Sequence, residues 1–378
     1  MSATALPETI KALRVLPDHK GLEVATIPWA TQETVKNLAE NEVIIRVHTV
    51  GLNPTDWKAR FAWDCHAWGD WGTPGTVVGC DAAGDVVRVG SAVKHLKVGD
   101  HAAGFDYGGS WQTDNGSFAE YVRMNSAAVF KVPDGMTYEE AASFPIPNFT
   151  AAQALYIRLN LPKPFTSGTP LNEKILIWGG STAVGHHAIQ LAKLSGLTTF
   201  VTASPAAFPE LQALGADHLF DYRDPDVVAK IVDAAADGII YALDTVSENG
   251  TTDATVGAMS ATRRGRVITL LPVSEQTKSR RPDVSVEFTL LYTVLGYELT
   301  FAHAIRMPAM KGDEAQMSEW MSEYLPRILE GWKAGEGAPM YKTQRLRKLQ
   351  GPLEDISKGL RIMSEGKYGR EKLVHTIV

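Results

Sequence analysis

The residues best suited to chemistry form a run of small side chains, Gly179-Gly180-Ser181-Thr182-Ala183-Val184-Gly185. Small residues let an anion approach the backbone, and a helix that begins there offers N–H groups to bind it. Apolar Ile175-Leu176-Ile177-Trp178 precedes the run, and Ala188, Ile189, Leu191, Ala192 and Leu194 follow at helical spacing. A second apolar run, 198–203, completes a βαβ unit of the length of a dinucleotide-binding fingerprint. A strict G-x-G-x-x-G is absent, because Ala183 stands where a middle glycine is expected. A phosphate loop of the Walker type is disfavoured, since His186-His187 follows Gly185 in place of Lys and a hydroxyl residue. An ordinary strand-to-helix turn stays open as the alternative.

The residues after the second strand of such a unit meet the adenosine ribose, where an acid would bind the 2′-hydroxyl. Here the stretch is Thr202-Ala203-Ser204-Pro205, without an acid. Ser204 leaves room for a 2′-phosphate, and Tyr222 and Arg223, after the next strand, are candidates to bind it. NADPH is therefore the expected cofactor, with a plain surface turn as the alternative for Tyr222-Arg223.

No metal site is expected. Cys65-His66 with Asp64 and Asp70 fits none of the usual zinc spacings, and Cys80-Asp81 lies in a strand-like run. Neither a G-x-S-x-G elbow nor H-E-x-x-H is present, which leaves hydrolase chemistry without a signature.

A chain of 378 residues holds one large or two medium domains. Its net charge of -6, without a Lys/Arg run, gives no footprint for nucleic acid. No apolar stretch reaches the length of a membrane span. The start, Met1-Ser2-Ala3-Thr4, lacks the order of a signal peptide, and two cysteines are too few for a disulfide framework, so a cytoplasmic location is expected.

The elements that must position these residues fall into two kinds. Up to about residue 122, short apolar runs alternate with glycine, as in 75–81, 84–90 and 98–104, and suggest a partly closed β-barrel. Gly51 to Asp56 is a turn that opens a short helix carrying Trp57 and Lys58. Trp57, Phe61, Trp63, Trp68 and Trp71 crowd fifteen positions, either lining an apolar pocket or pinning a loop. Helices are expected over 138–143 and 150–159, broken by Pro145 and Pro147. Strands over 175–178, 198–203, 218–221, 238–243 and 265–271, with helices at 186–195, 208–214 and 225–235, predict a doubly wound parallel sheet. From about Tyr297 the pattern stops. Helices near 314–331 and 353–365 precede a last strand, 372–378.

This order, together with three motifs, resembles the medium-chain dehydrogenase/reductase superfamily along essentially the whole chain. Gly116-Ser117-Phe118-Ala119-Glu120-Tyr121, Ala188-Ile189-Gln190-Leu191-Ala192-Lys193 and Gly215-Ala216-Asp217 are similar to its signatures. Asn53 stands where the zinc branch has its first cysteine ligand, Cys80-Asp81 replaces a His-Glu pair, and the four-cysteine lobe is missing. The chain thus resembles the zinc-independent branch of quinone oxidoreductases and enoyl reductases. Asn-Pro-Thr-Asp-Trp-Lys at 53–58, Gly-Gly-Ser-Thr-Ala at 179–183 and Phe220-Asp221-Tyr222-Arg223 are similar to fungal trans-acting enoyl reductases of polyketide pathways.

The resemblance implies an α/β fold: a GroES-like catalytic domain over 1–147, a Rossmann NADPH-binding domain over 148–296, and a return to the first domain over 297–378. It implies NADPH-dependent reduction of a polarised carbon–carbon double bond, on an enoyl or enone substrate that an acyl carrier domain of a polyketide synthase could bring. Gly180, Ser181, Thr182, Ala183 and Val184 would meet the pyrophosphate, and Ser204 and Tyr222 the 2′-phosphate. Thr150 would lie near the nicotinamide. Leu270-Leu271 and Leu295-Gly296 would hold its carboxamide. Lys58 and Asn53 would face the substrate carbonyl, with Tyr107 and Lys58 as candidate proton donors. Quinone reduction is a second expectation, and a cofactor-binding sensor or interaction protein without turnover is a third. Monomer and homodimer both stay open.

Overall fold

The computed structural model describes residues 5–17, 21–61, 73–110, 113–166, 173–236, 238–301 and 305–377. The chain divides into two compact units, Met1–Ile146 with Tyr292–Val378, and Pro147–Leu291.

The first unit is built on a mixed seven-stranded sheet. Its strands run in the order Leu346–Gly351, Lys372–Ile377, Glu42–Gly51, Asp81–Val89, His101–Phe105 and Val129–Lys131, with Tyr121–Asn125 also paired to Glu42–Gly51. Glu42–Gly51 is central because its inward residues are almost wholly apolar. Val43, Ile45 and Val50 are fully buried against Val86, Phe118, Val122 and Leu373. A hairpin of Thr9–Val15 and Leu22–Pro28 adds a second apolar layer around Ile10, Ile27 and Trp29. The last strand, Lys372–Ile377, pairs in parallel with Leu346–Gly351 and antiparallel with Glu42–Gly51, which returns the C-terminal stretch to the first unit.

The helix Pro54–Phe61 starts where the sequence signals it. Pro54 fills the first turn, where its missing N–H costs nothing, and the Asp56 carboxylate accepts the Asn53 N–H at 2.7 Å. Of the aromatic stretch, Trp57 belongs to this helix. Trp63, Trp68, Trp71, Asp64, Cys65, His66 and Asp70 lie outside the described residues, as does the Phe61 side chain.

The second unit is a six-stranded, wholly parallel sheet. Its order is His218–Asp221, Thr198–Ala203, Lys174–Trp178, Ile239–Asp244, Gly265–Thr269 and Val284–Phe288. Numbered along the unit this is 3-2-1-4-5-6, the order of the doubly wound dinucleotide-binding fold. The direction of winding reverses between Lys174–Trp178 and Ile239–Asp244, and ligands of such sheets bind outside the carboxyl ends at that point.

Three local expectations change. Pro145 and Pro147 do not break a helix; they lie in the first turn of Pro145–Ala152, where proline is tolerated, and the helix continues into a wide turn, Gln153–Arg158. The strand expected to reach 271 ends at Thr269, because the Leu270 N–H turns to the Ser247 hydroxyl. The helix Thr251–Gly257, rich in threonine, carried no periodic signal. It forms because the Thr251 and Thr252 hydroxyls donate to the buried Asp244 carboxylate.

Candidate active site

In the second unit, the small-residue run leaves strand Lys174–Trp178 through Gly179, whose φ of +88° favours glycine. Gly179 N–H donates to the Thr202 hydroxyl at 3.0 Å and Gly180 N–H to the Thr202 carbonyl at 2.9 Å, which holds the turn to the neighbouring strand. Thr182 caps the helix Ala183–Leu194, its hydroxyl accepting the Gly185 N–H at 2.9 Å. A Cβ at Gly180 would stand 2.2 Å from Val201 Cγ1, and one at Gly185 would stand 2.4 Å from the Gly179 carbonyl oxygen. The turn and helix therefore pack at glycine distance. Ser181, Thr182, Ala183 and Val184 stay part-exposed at the start of a twelve-residue helix with no acid in its first turn. That is a fitting cradle for a pyrophosphate, and Ala183 simply opens the helix.

A side chain that the motif search overlooked fastens this cradle. Thr245, just past the strand on the other side of the winding reversal, lies 2.8 Å from the Trp178 carbonyl and 2.9 Å from the Gly179 carbonyl through its hydroxyl. The same oxygen accepts the Thr182 hydroxyl at 2.9 Å. The neighbouring Asp244 is fully buried and accepts from Val246 N, Ser247 N, Thr251 Oγ1 and Thr252 Oγ1, all within 2.7–3.0 Å. Ser247, at φ +59°, then takes the Leu270 N–H at 2.9 Å. Leu271 offers its carbonyl to the Thr269 hydroxyl at 2.9 Å. The segment expected to hold a carboxamide is thus pinned by a buried acid some twenty-five positions upstream. An acid followed by hydroxyl residues, Asp244-Thr245 with Ser247, Thr251 and Thr252, is the sequence trace of it.

Ser204 and Tyr222 leave the ends of adjacent strands, since Ala203 and Asp221 are partners in register. Ser204 is half-buried and Tyr222 is 50% exposed. Arg223 makes a two-pronged contact with Asp221, both bonds 3.0 Å, and its guanidinium carbon lies 5.7 Å from the Tyr222 ring centre. The Arg223 hydrogen bond holds the Asp221 carboxyl below its usual range. The acid at this strand end is thereby neutralised. Thr150 is buried in the helix Pro145–Ala152.

In the first unit, Asn53 is 1% exposed, and its side chain is committed internally. Its amide nitrogen donates to Asp81 at 2.8 Å, and its amide oxygen accepts from the Lys372 ammonium. Lys372 lies 3.5 Å from Asp81, and the other Asp81 oxygen accepts the Ile146 N–H at 3.1 Å. Burial raises the Asp56 carboxyl to about 7 and the Asp81 carboxyl to about 6. The free thiol of Cys80 is buried beside these acids and pushed well above the ordinary thiol range, chiefly by that burial. It lies 3.7 Å from the Tyr292 hydroxyl, which donates to Thr55 at 2.9 Å. Tyr107 stacks on Tyr292 at 4.0 Å and reaches the Thr300 carbonyl at 3.4 Å. Lys58 is half-buried, its ammonium 5.8 Å from the Trp57 ring centre. Leu295 and Gly296 are buried in this unit, Leu295 giving its carbonyl to Asn125 at 3.1 Å.

A divalent metal does not fit this donor set. Among the described residues no group of three or more His, Cys, Asp or Glu is arranged to hold one. An ammonium already stands between Asp81 and Asn53, and the neighbouring thiol is held protonated. Nor, among the described residues, is any helix long and apolar enough to cross a membrane.

Two family models match the chain: the alcohol dehydrogenase GroES-like domain over 39–134 and the zinc-binding dehydrogenase model over 183–313. The trans-enoyl reductase ACTTS2 of Alternaria alternata is 36% identical over 96% of this chain and 98% of its own length. The enoyl reductase component lovC of the lovastatin nonaketide synthase, from Aspergillus terreus, is 31% identical over 89% of each chain. The crystal structure of CurK enoyl reductase superposes over 98% of this chain and all of its own, with a TM-score of 0.71 at 22% identity, and shares the fold. A GroES-like unit followed by a 3-2-1-4-5-6 parallel sheet, with relatives matched nearly end to end, makes this chain an oxidoreductase of the medium-chain dehydrogenase/reductase superfamily.

Proposed function

We propose that the protein is an NADPH-dependent enoyl reductase acting on an α,β-unsaturated thioester, supplied by an acyl carrier domain of a polyketide synthase. The observation that carries this is end-to-end similarity to proteins named trans-enoyl reductases, at 36% identity for one of them. The first unit's buried donor set supports it, since that set offers hydrogen bonds and an ammonium in place of zinc ligands. NADPH, when bound, supplies a hydride to the β-carbon of the alkene.

The residues of this chain have the following parts. Gly180, Ser181, Thr182, Ala183 and Val184 bind the pyrophosphate at the helix start. Ser204 and Tyr222, with the Arg223 charge alongside, bind the 2′-phosphate. Thr150 orients the nicotinamide, and backbone groups of Leu270, Leu271, Leu295 and Gly296 hold its carboxamide. Lys58 would stabilise the negative charge that reduction places on the substrate carbonyl oxygen. Asn53, whose amide is spent on Asp81 and Lys372, acts by holding the start of the Lys58 helix. The proton that completes the α-carbon comes from Lys58 or from water.

The experiment is NADPH consumption with crotonyl-CoA, a simple enone and a panel of quinones. Turnover of the thioester supports the proposal; turnover of quinones alone overturns it in favour of a quinone oxidoreductase. NADPH binding without consumption on any of them would make the chain a binding protein.

A further inference from the structure

Lys372 opens the last strand and is almost wholly buried, its side chain 5% exposed beside a fully buried Asp81. A buried ammonium persists only where it is paired and hydrogen-bonded. This one meets both conditions with groups drawn from distant parts of the chain. It donates to Asn53 Oδ1 and faces Asp81 Oδ2 at 3.5 Å. Asp81 accepts from Asn53 Nδ2 at 2.8 Å and from Ile146 N–H at 3.1 Å. The Asn53 N–H donates in turn to Asp56, inside the first turn of Pro54–Phe61.

One ion pair thus ties three points: the turn from which the Lys58 helix springs, the start of strand Asp81–Val89, and the first turn of helix Pro145–Ala152, which carries Thr150. Stability alone gives no reason to keep it, because an apolar pair of similar volume often serves a fold as well. A charged pair that is also hydrogen-bonded to its neighbours does fix one arrangement of the groups around it. We propose that Lys372 is a positioning residue of the reaction, an internal cation that holds the Asn53 turn, and through it the helix bearing Lys58, in the reactive geometry. The kinetic part of its test rests on the enoyl-reductase proposal; the exchange part does not.

The test compares the full chain with Lys372→Met, Lys372→Arg and the charge-balanced Asp81→Asn/Lys372→Met variant. Lys372→Met should lower kcat on crotonyl-CoA at least about tenfold while NADPH affinity falls much less, about threefold or under, since the residues proposed for the pyrophosphate and the 2′-phosphate lie outside the elements that Lys372 ties. Amide exchange at residues 53–58 should quicken about tenfold or more in the same variant. The charge-balanced variant should recover the melting temperature, yet keep the low kcat and fast exchange, because Asn53 Oδ1 still lacks its donor. Lys372→Arg should regain part of kcat. Wild-type kcat and exchange in the charge-balanced variant would overturn the proposal, as would an unchanged Lys372→Met. If the wild type reduces no alkene, the enoyl-reductase proposal falls, while exchange at 53–58 still decides for or against Lys372.

Discussion

Thr182 and Thr245 meet hydroxyl to hydroxyl at 2.9 Å, joining the helix that opens the glycine turn to the strand end across the winding reversal. The Thr245 oxygen also reaches the Gly179 carbonyl at 2.9 Å, so one side chain sets the shape of the turn from outside it. Thr245→Val keeps the volume and removes these bonds. NADPH should bind about tenfold more weakly, the cost of one or two hydrogen bonds, with kcat changed much less. Fluorescence titration of NADPH beside steady-state kinetics measures both.

Gly185→Ala puts a methyl group 2.4 Å from a backbone carbonyl oxygen, which cannot swing aside as a side chain can. The helix must move off the turn. A loss of about 1–3 kcal/mol in stability is expected from overpacking, with NADPH affinity falling about tenfold or more. Thermal melts with and without NADPH separate the two effects.

The proposed preference for NADPH rests on Ser204, Tyr222 and Arg223. Arg223→Ala removes a cation and leaves the Asp221 carboxylate unpaired at the same strand end. The ratio of kcat/KM for NADPH over NADH should fall by about tenfold or more, because a phosphate now meets a bare acid. Tyr222→Phe should lower it less. Parallel kinetics with the two cofactors give the ratio.

Stability should fall as pH rises from about 4 to about 7.5. Asp56 and Asp81 are raised by burial to about 7 and about 6. Between the unfolded carboxylate value of about 3.9 and those values, the folded state holds more protons than the unfolded one. That contribution is complete below the unfolded value and disappears through the folded ones. Asp85 works in the opposite sense. Its hydrogen bonds from Tyr138, Arg46 and His48 outweigh burial and bring it down to about 2, so its contribution disappears as pH falls below about 4. A melting temperature that peaks near pH 4, with a shallower alkaline slope in Asp56→Asn, is the expected result. Melts from about pH 2 to about 8 test it.

Chelation should leave turnover unchanged. The described donor set around Asn53, Cys80 and Asp81 is already neutralised by Lys372. Metal analysis of the purified protein and activity after dialysis against EDTA check this. Stoichiometric zinc lost together with activity would show a site elsewhere in the chain.

The glycine turn, the helix behind it and the parallel strands were legible in the sequence because their signals are local. Buried strands demand continuous apolar runs such as Ile175-Leu176-Ile177, a covered helix repeats apolar residues, and a tight turn needs glycine where φ is positive. The strand ends just before Ser204 and Tyr222 were legible for a similar reason, since each closes an apolar run. The fastening of the site was not. Thr245 stands 66 positions from Gly179, and Lys372 stands 319 from Asn53. No periodicity links such pairs, because a single hydroxyl or ammonium finds its acceptors only after the strands have been set side by side. Residue types also misled where tertiary contacts overrode them. Asn53 reads as a polar group free to face a substrate, yet burial obliged its amide to find partners inside. Sequence alone determined which stretches could form a cofactor cradle. Only the tertiary structure decided which polar side chains hold that cradle in shape, since burial charges the full cost of every hydrogen bond left unmade.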